Sequence, residues 1–177
     1  MLLHWLWLAT RPNMNERDKL AVLQHFGDPE DVFYAEAALF AEVAGMTAEA
    51  MEALKDKNVQ PAQKIMAQCA EKEIHICTFA DGAYPGRLRN IADPPLVLYY
   101  KGHLPDLDGG PVIGIVGTRD ASAYGMNVAS RIGGQIARCG GIVVSGLAAG
   151  IDGAAIGGAL SAGGTVVGVL GSGVDVV

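Results

Sequence analysis

Two stretches decide the fold of this chain: Ile115-Val116-Gly117-Thr118-Arg119 and, about thirty residues later, Ser145-Gly146-Leu147-Ala148-Ala149-Gly150-Ile151-Asp152. Each stretch follows an apolar run rich in Val and Ile and precedes a segment that can form a helix. Two such strand-to-helix turns, one unit apart, predict a βαβ half-fold of the mononucleotide-binding type, with both loops at one edge of a parallel sheet. Because α/β proteins bind phosphates at that edge, we expect a phosphorylated ligand.

Composition excludes several classes of protein. Half of the 177 residues are hydrophobic, but no apolar run approaches the roughly 20 residues that span a bilayer, so we expect no membrane contact. The apolar start, residues 1–9, lacks the basic region of a signal peptide and predicts a short buried helix. Three scattered cysteines indicate reduced thiols and a cytoplasmic location. The net charge is −6, yet residues 111–177 carry three arginines and three aspartates and are neutral.

Residues 1–72 predict a small all-α domain. Helical spacing of apolar residues favours a helix over 16–26 that stops at Gly27, and Asp28 and Pro29 are suited to begin the next helix. Residues 43–49 combine a helix end, a glycine turn and a Thr-capped helix start. This pattern outlines a helix-hairpin-helix unit, which can present turn amides to DNA. The acidity of the region and a hairpin without a second Gly or a Lys favour instead a small helical bundle that packs or mediates contacts.

Residues 73–110 predict a strand-containing connector. Alternating residues over 74–79 and an apolar run over 96–102 each indicate a strand, and we expect both strands to extend the sheet that follows. Residues 103–111 are rich in Asp, Gly and Pro and read as a loop.

Residues 111–177 hold 17 of the 24 glycines and alternate between strands and helices. The predicted strands are 112–116, 142–145 and 165–170, and the predicted helices are about 122–139 and 152–162. This order indicates an α/β fold with a Rossmann-like parallel sheet, of which only the first half is present. We expect either a fragment or a chain that completes its sheet with another copy.

All three predicted strands end in small residues, which form the first loop (117–119), the second loop (145–152) and the third loop (171–173). Glycine amides, hydroxyl groups and helix starts at one edge favour anion binding over simple tight turns. The dinucleotide fingerprint G-x-G-x-x-G and the ATP-binding G-x-x-x-x-G-K-[ST] motif are both missing from these loops.

Arg119 supplies a permanently charged, planar group suited to phosphodiester oxygens, although it could instead pair with Asp120 on the surface. Asp152 is most simply a helix N-cap whose carboxylate fixes the second loop. Tyr124 could stack on a base or cover the sheet edge. The four histidines lie outside this segment, so we expect no catalytic residue, no metal site and no cofactor.

Further residues carry a resemblance to a known family. The strings run in matching order and spacing over about residues 80–177: Tyr84-Pro85-Gly86-Arg87-Leu88, Pro94-Pro95-Leu96-Val97-Leu98-Tyr99-Tyr100-Lys101-Gly102, Val116-Gly117-Thr118-Arg119, Ser145 to Asp152, and Val169-Leu170-Gly171-Ser172-Gly173-Val174-Asp175. They resemble the DNA-processing protein A (DprA, also called Smf) family, and the helical segment resembles that family's sterile-alpha-motif-like domain.

The resemblance implies a non-enzymatic protein with an extended Rossmann fold that binds single-stranded DNA. It also implies a homodimer that brings the RecA recombinase onto incoming DNA in natural transformation. The DNA-binding residues expected from the loops and the resemblance are Gly117, Thr118, Arg119, Tyr124, Ser145, Gly146, Leu147, Ala148, Gly150, Ile151, Asp152, Gly171 and Gly173. Relatives often carry Arg where this chain has Ala149. The alternative is a Rossmann-like protein that binds or processes a nucleotide.

Overall fold

The computed structural model describes residues 1–176 and divides them into two compact units. The first unit contains residues 1–84 and 88–101, and the second contains residues 85–87 and the chain from residue 102 onward. The predicted boundaries at residues 72 and 110 stay predictions, because this division follows spatial contacts and does not report which segments fold independently. Within residues 1–176, no helix combines the length and the apolar character needed to cross a bilayer.

The first unit is built mainly from helices. In chain order they are α1 (Leu2–Ala9), α2 (Glu16–Phe26), α3 (Pro29–Tyr34), a 3-10 helix (Ala37–Glu42), α4 (Ala48–Lys55) and α5 (Gln60–Glu71). A short helix α6 (Gly86–Arg89) has its first two residues in the second unit and its last two in the first. The predicted helix over 16–26 is confirmed, and Gly27 ends it with a φ of 91°. Asp28 caps α3 by accepting a hydrogen bond from the amide of Glu30, and Pro29 is its first residue, as predicted.

The predicted buried helix at the start of the chain is confirmed. Leu6, Trp7 and Leu8 are fully buried in the core of the first unit. The indole Nε1 of Trp7 donates a hydrogen bond of 2.9 Å to the backbone carbonyl of Asp56, so the one polar atom of this ring is satisfied. Three successive bulky residues in the core anchor α1 to the later helices.

The predicted glycine turn precedes α4. Gly45 has a φ of 81°, and the hydroxyl of Thr47 accepts a hydrogen bond of 3.1 Å from the amide of Ala50, which caps α4 as expected. The element before the turn is the 3-10 helix Ala37–Glu42, where the sequence favoured the end of an α-helix. The likeness of this region to a helix-hairpin-helix or sterile-alpha-motif domain stays a prediction.

Strands β1 (His75–Thr78) and β2 (Val97–Tyr100) form a separate antiparallel sheet, with Cys77 opposite Leu98. The prediction that these strands extend the parallel sheet is therefore wrong. The physical reason is that their apolar residues are already buried: Leu96 and Val97 belong to the core of the helices in the first unit. A sheet that packs on the helical bundle in this way has its hydrophobic face covered.

The second unit contains the predicted parallel sheet, in the order β3 (Val112–Gly114), β4 (Ile142–Ser145) and β5 (Val166–Gly168). Val143 of the central strand lies opposite Ile113 on one side and Val166 on the other. The α/β fold and its parallel sheet are confirmed. Strand β4 has the predicted bounds, whereas β3 and β5 are shorter because their flanking residues bend into loops.

Two helices, α7 (Ala123–Arg138) and α8 (Ile151–Ser161), connect the parallel strands and agree with the predicted ranges to within a residue. Val143, Ile156 and Ala159 form the buried core between the sheet and these helices. The two helices approach each other so closely that a Cβ atom at Gly158 would overlap the backbone carbonyl of Ser130. Glycine at the crossing therefore allows the backbones of α7 and α8 to pack against each other. These two helices follow the loops at the ends of β3 and β4, so their close packing helps to fix the position of both loops.

Candidate nucleic-acid-binding site

The first and second loops lie at the carboxyl ends of neighbouring parallel strands, and hydrogen bonds join them. The hydroxyl of Ser145 donates to the carbonyl of Ile115 at 2.7 Å. The amide of Ile151 donates to the carbonyl of Thr118 at 3.2 Å. The structure thus brings together the two loops that the sequence placed at one edge.

Asp152 lies between these loops with its side chain buried. Its Oδ1 accepts a hydrogen bond from the amide of Gly117 at 3.0 Å, and its Oδ2 accepts one from the amide of Gly146 at 3.0 Å. The residue is only 5% exposed. The expected N-cap role is wrong, because Gly150 occupies the N-cap of α8 and Asp152 is the second helical residue. Its carboxylate instead connects the first loop to the second.

The Asp152 carboxylate is held in its ionised form. Burial raises the pKa of Asp152, but the hydrogen bonds from the backbone amides of Gly117, Gly146 and Ala148, together with the neighbouring hydroxyl of Ser145, outweigh it, so the pKa lies below the usual 3.8. At neutral pH the centre of the two loops therefore carries a negative charge that is satisfied by loop donors.

Gly150 is the closest point between the second loop and the first. It adopts a φ of 83°, a conformation that side chains other than glycine rarely take. A Cβ atom there would overlap the carbonyl of Thr118 and lie 2.6 Å from the carbonyl oxygen of Arg119. The sequence analysis assigned the loop glycines to the approach of an anion, and at Gly150 the group that approaches is the backbone of the first loop.

Arg119 is exposed at the tip of the first loop, and within residues 1–176 its guanidinium makes no hydrogen bond or ion pair. The alternative that it pairs with Asp120 is therefore wrong: Asp120 contacts this loop through its backbone, whose amide donates to the hydroxyl of Thr118 at 3.2 Å. Arg119 is left with all its donors facing solvent, as a group that contacts phosphate requires.

Several backbone amides of the two loops are also without a hydrogen-bond acceptor in the part of the chain that the structure describes. Among them are those of Thr118, Arg119, Leu147 and Ala149. The first two lie in the exposed first loop, and the other two lie at exposed positions of the second loop. These amides, unlike those of Gly117 and Gly146, are open to a ligand.

Tyr124 lies in the first turn of α7, which begins at the Ser122 cap beyond the first loop. Its side chain is 79% exposed, so it does not cover the sheet edge. Leu147 is 50% exposed and has a φ of 56°. Ala148 and Ile151 are half-buried, and a Cβ atom at Gly117 would lie 2.6 Å from the Cβ of Ile151. An exposed ring and an exposed apolar side chain therefore flank the polar groups of the loops.

The third loop contributes two glycines that were expected to bind DNA, and neither of them packs against the first or the second loop. Gly171 and Gly173 are exposed and follow the end of β5. A Cβ atom at Gly171 would meet open space, and one at Gly173 would meet only Asp175 and Val176 of its own segment. The amide of Val169 donates to the carbonyl of Ser145 at 2.8 Å, so the chain after β5 does start beside the second loop.

Asp152 as a link between two loops is the feature that sequence reasoning missed. A signal for it exists, because Asp152 is the one charged residue between Arg138 and Asp175. A lone carboxylate in a stretch of small and apolar residues needs several donors around it, and the nearby loops supply them. Within residues 1–176, no group of three or more His, Cys, Asp and Glu is arranged to hold a metal ion.

Comparisons with known proteins agree with this architecture. The family model of DNA recombination-mediator protein A matches residues 75–177. The DNA processing protein DprA of Bacillus subtilis is 40% identical over 110 residues, which are 62% of this chain and 37% of the relative. Protein Smf of Synechocystis is 34% identical over 159 residues, 87% of this chain and 40% of the relative.

The X-ray structure of DNA processing protein A from Streptococcus pneumoniae superposes with a TM-score of 0.76 at 25% identity, covering 100% of this chain and 60% of that one. The chain thus spans about 40% of the length of the two curated relatives above. A family match over more than half of the chain, together with the shared fold, establishes the relationship. This chain belongs to the family of DNA recombination-mediator protein A.

Proposed function

We propose that this chain binds single-stranded DNA at the face formed by its first and second loops and acts, without enzymatic activity, as a recombination mediator. The observation that carries the proposal is the exposed guanidinium of Arg119, free of any partner within residues 1–176, beside the unbonded amides of Thr118, Arg119, Leu147 and Ala149. The residues proposed to form this face, by contacting DNA or by shaping the loops, remain Gly117, Thr118, Arg119, Tyr124, Ser145, Gly146, Leu147, Ala148, Gly150, Ile151, Asp152, Gly171 and Gly173.

The charges and rings on this face favour single strands over duplex DNA. Residues 111–177 are neutral overall, so long-range attraction contributes little and binding depends on local contacts. Arg119 and the loop amides can contact phosphate oxygens, while the exposed ring of Tyr124 can stack on a base. Stacking requires unpaired bases and tolerates any sequence, so we expect a preference for single strands without a preference for sequence.

Fluorescence anisotropy with labelled oligo-dT and duplex DNA across a salt series tests this proposal. Arg119→Ala is expected to weaken binding to oligo-dT and to lower the slope of log K against log salt by about 0.7, the value for one phosphate contact on a single strand. Arg131→Ala is the matched control, because Arg131 is an exposed arginine further along α7 and its removal changes the net charge equally. We expect little effect from it.

Equal losses in the two arginine variants would contradict the proposed site, because they would indicate binding through net charge alone. Binding of duplex DNA as tightly as oligo-dT would contradict the role of base stacking. A chain that binds neither at low salt would refute the proposal for these 177 residues.

The wider role is proposed from the family. We infer that the protein acts in the cytoplasm as a homodimer and helps to load RecA on incoming single-stranded DNA in natural transformation. Assembly of RecA on oligo-dT coated with single-strand-binding protein should be faster in the presence of the chain, and light scattering should give the mass of two chains. An unchanged assembly rate would refute the RecA part, and the mass of one chain would refute the dimer.

A further inference from the structure

The position that a phosphate would take between the first two loops is already filled. Each oxygen of the Asp152 carboxylate accepts an amide hydrogen bond of 3.0 Å, one from Gly117 in the first loop and one from Gly146 in the second. These are two of the glycine amides that the sequence assigned to an external anion. A charged, buried side chain of the protein has taken that place.

The glycine at position 146 leaves room for this carboxylate, whereas a Cβ atom at Gly117 would meet the side chain of Ile151. A Cβ atom at Gly146 would lie 3.0 Å from Oδ2 of Asp152, which is tighter than an ordinary carbon-to-oxygen contact. Glycine at this position therefore lets the carboxylate approach the amide. The close approach of the backbone that glycine permits serves an internal anion here.

One backbone contact between the loops does not involve this carboxylate: the amide of Ile151 donates to the carbonyl of Thr118 at 3.2 Å. The hydroxyl of Ser145 lies beside the carboxylate but donates to the carbonyl of Ile115 at 2.7 Å, a bond that does not require the charge of Asp152. The core of Val143, Ile156 and Ala159 is built from apolar side chains, which the substitution does not change. Removing the charge should thus loosen the loops while leaving the sheet and its helices folded.

We propose that Asp152 is a positioning residue of the DNA site: its carboxylate joins the first loop to the second and leaves DNA phosphates to Arg119 and to the outer amides of the loops. The inference rests on the proposed function, because it concerns the same face. The outer amides are those of Thr118, Arg119, Leu147 and Ala149, which have no acceptor within residues 1–176.

Asp152→Asn tests the link while keeping the shape of the side chain. A carboxamide has only one oxygen, and its NH₂ group cannot accept from a backbone amide, so one glycine amide loses its partner. Amide hydrogen exchange, followed by NMR without DNA, should accelerate about tenfold or more at Gly117 or Gly146, since an unsatisfied buried donor is costly. Binding of oligo-dT should weaken in parallel, also by about tenfold if the loops must be ordered first.

Asp120→Asn is the matched control. Asp120 is an exposed carboxylate next to Arg119, and its removal changes the net charge by the same amount without touching the link. We expect normal exchange at both glycines and unchanged or slightly tighter binding. Asp152→Ala adds a rescue: acetate or formate should restore slow exchange at Gly117 and Gly146 by occupying the vacated position, and chloride at equal ionic strength should not.

Three results would overturn the inference. The first is that the amides of Gly117 and Gly146 exchange as slowly in Asp152→Asn as in the unchanged chain. The second is that Asp152→Asn binds oligo-dT more tightly, by the same factor as Asp120→Asn. Asp152 would then act only by repelling the phosphates of DNA. The third is fast exchange at the glycines with unchanged DNA binding, which would separate the link from the site.

The closing measurement also separates this inference from the proposed function. Glycine exchange is recorded without DNA, so it reports the link whether or not the chain binds oligo-dT. If the unchanged chain fails to bind oligo-dT while exchange responds as expected, the proposed function and the DNA role of Asp152 are refuted and the joining of the loops stands.

Discussion

Replacing Gly158 by Ala on α8 should destabilise the second unit, whereas the same replacement at the preceding residue, Gly157, should stabilise it. Both glycines lie inside the same helix, so both substitutions gain helix propensity, about 1 kcal/mol in an exposed interior position. The two positions differ in what a methyl group would meet. At Gly157 nothing lies within 4 Å of the added Cβ, so only the gain remains.

At Gly158 the methyl group would meet the backbone of α7. The added Cβ would overlap the carbonyl oxygen of Ser130 and lie 2.7 Å from its carbonyl carbon. An ordinary contact between carbon atoms is about 3.5–4.0 Å, so the helices would have to separate by roughly 1 Å. Overpacking of this kind costs about 1–3 kcal/mol, and the upper part of that range applies because a helix backbone cannot rotate away.

The two variants should therefore differ by about 2–3 kcal/mol in the free energy of unfolding of the second unit. Far-UV circular dichroism in urea, combined with hydrogen exchange of α7 and α8, measures this difference. Both tryptophans, Trp5 and Trp7, lie in the first unit, so their fluorescence reports the first unit and should be unchanged in either variant.

Equal stability of the Gly157→Ala and Gly158→Ala variants would refute the reasoning, since it would mean that α7 and α8 are not in backbone contact at Gly158. Loss of tryptophan signal in step with the far-UV signal would show that the substitution acts beyond the second unit.

Three further predictions concern charge, backbone and pH. Ala149→Arg should tighten binding of oligo-dT and raise the salt slope by about 0.7, because it adds a phosphate contact at an exposed position of the second loop; anisotropy measures both. Gly150→Ala should destabilise the second unit by about 1–3 kcal/mol for its backbone conformation (φ 83°, ψ −127°), plus about 1–3 kcal/mol for its clash with the first loop, as measured by urea unfolding. Burial raises the pKa of Tyr84 to about 12, so absorbance at 295 nm should show one tyrosine titrating there. Because the folded chain keeps that proton longer than the unfolded chain, the stability from Tyr84 is full below about pH 10 and is lost as the pH rises to about 12.

Each of these predictions has a control in the chain. Ser161→Arg adds the same charge at the far end of α8 and should not tighten binding; an equal gain would indicate net charge. Gly163→Ala also has a positive φ but meets open space, so it should lose only the conformational part, and a loss equal to that of Gly150→Ala would deny the clash. Tyr84→Phe should remove the titration near pH 12, and its persistence would assign the step to another tyrosine.

Local chemistry in the sequence was enough to place most elements. Gly27 ended α2, and Asp28 with Pro29 began α3, because caps and fixed φ angles act over a few residues. The alternation of Val-rich strands with glycine turns predicted the parallel sheet, because this pattern too is set by residues close together in the chain. The close crossing of α7 and α8 was not predicted, since glycine in a helix carries no sign of what it faces.

Features that depend on distant partners could not be read from the sequence. The pairing of β1 with β2 depends on burial of Leu96 and Val97 by the helices, which no local pattern reveals. The place of Asp152 depends on Gly117, which lies 35 residues earlier in the chain. The sequence therefore placed both loops at one edge but assigned their inner amides to an external anion.

The strained backbone of Leu147 and the glycine at position 168 should constrain each other's replacement in related sequences. Leu147 holds a left-handed conformation that costs about 1–2 kcal/mol for a residue other than glycine, and its side chain lies over Gly168 at the end of β5. A larger residue at 168 would displace that side chain, and the strained backbone would then favour glycine at 147. We expect the two positions to covary in aligned relatives, with a large residue at one accompanying a small residue at the other.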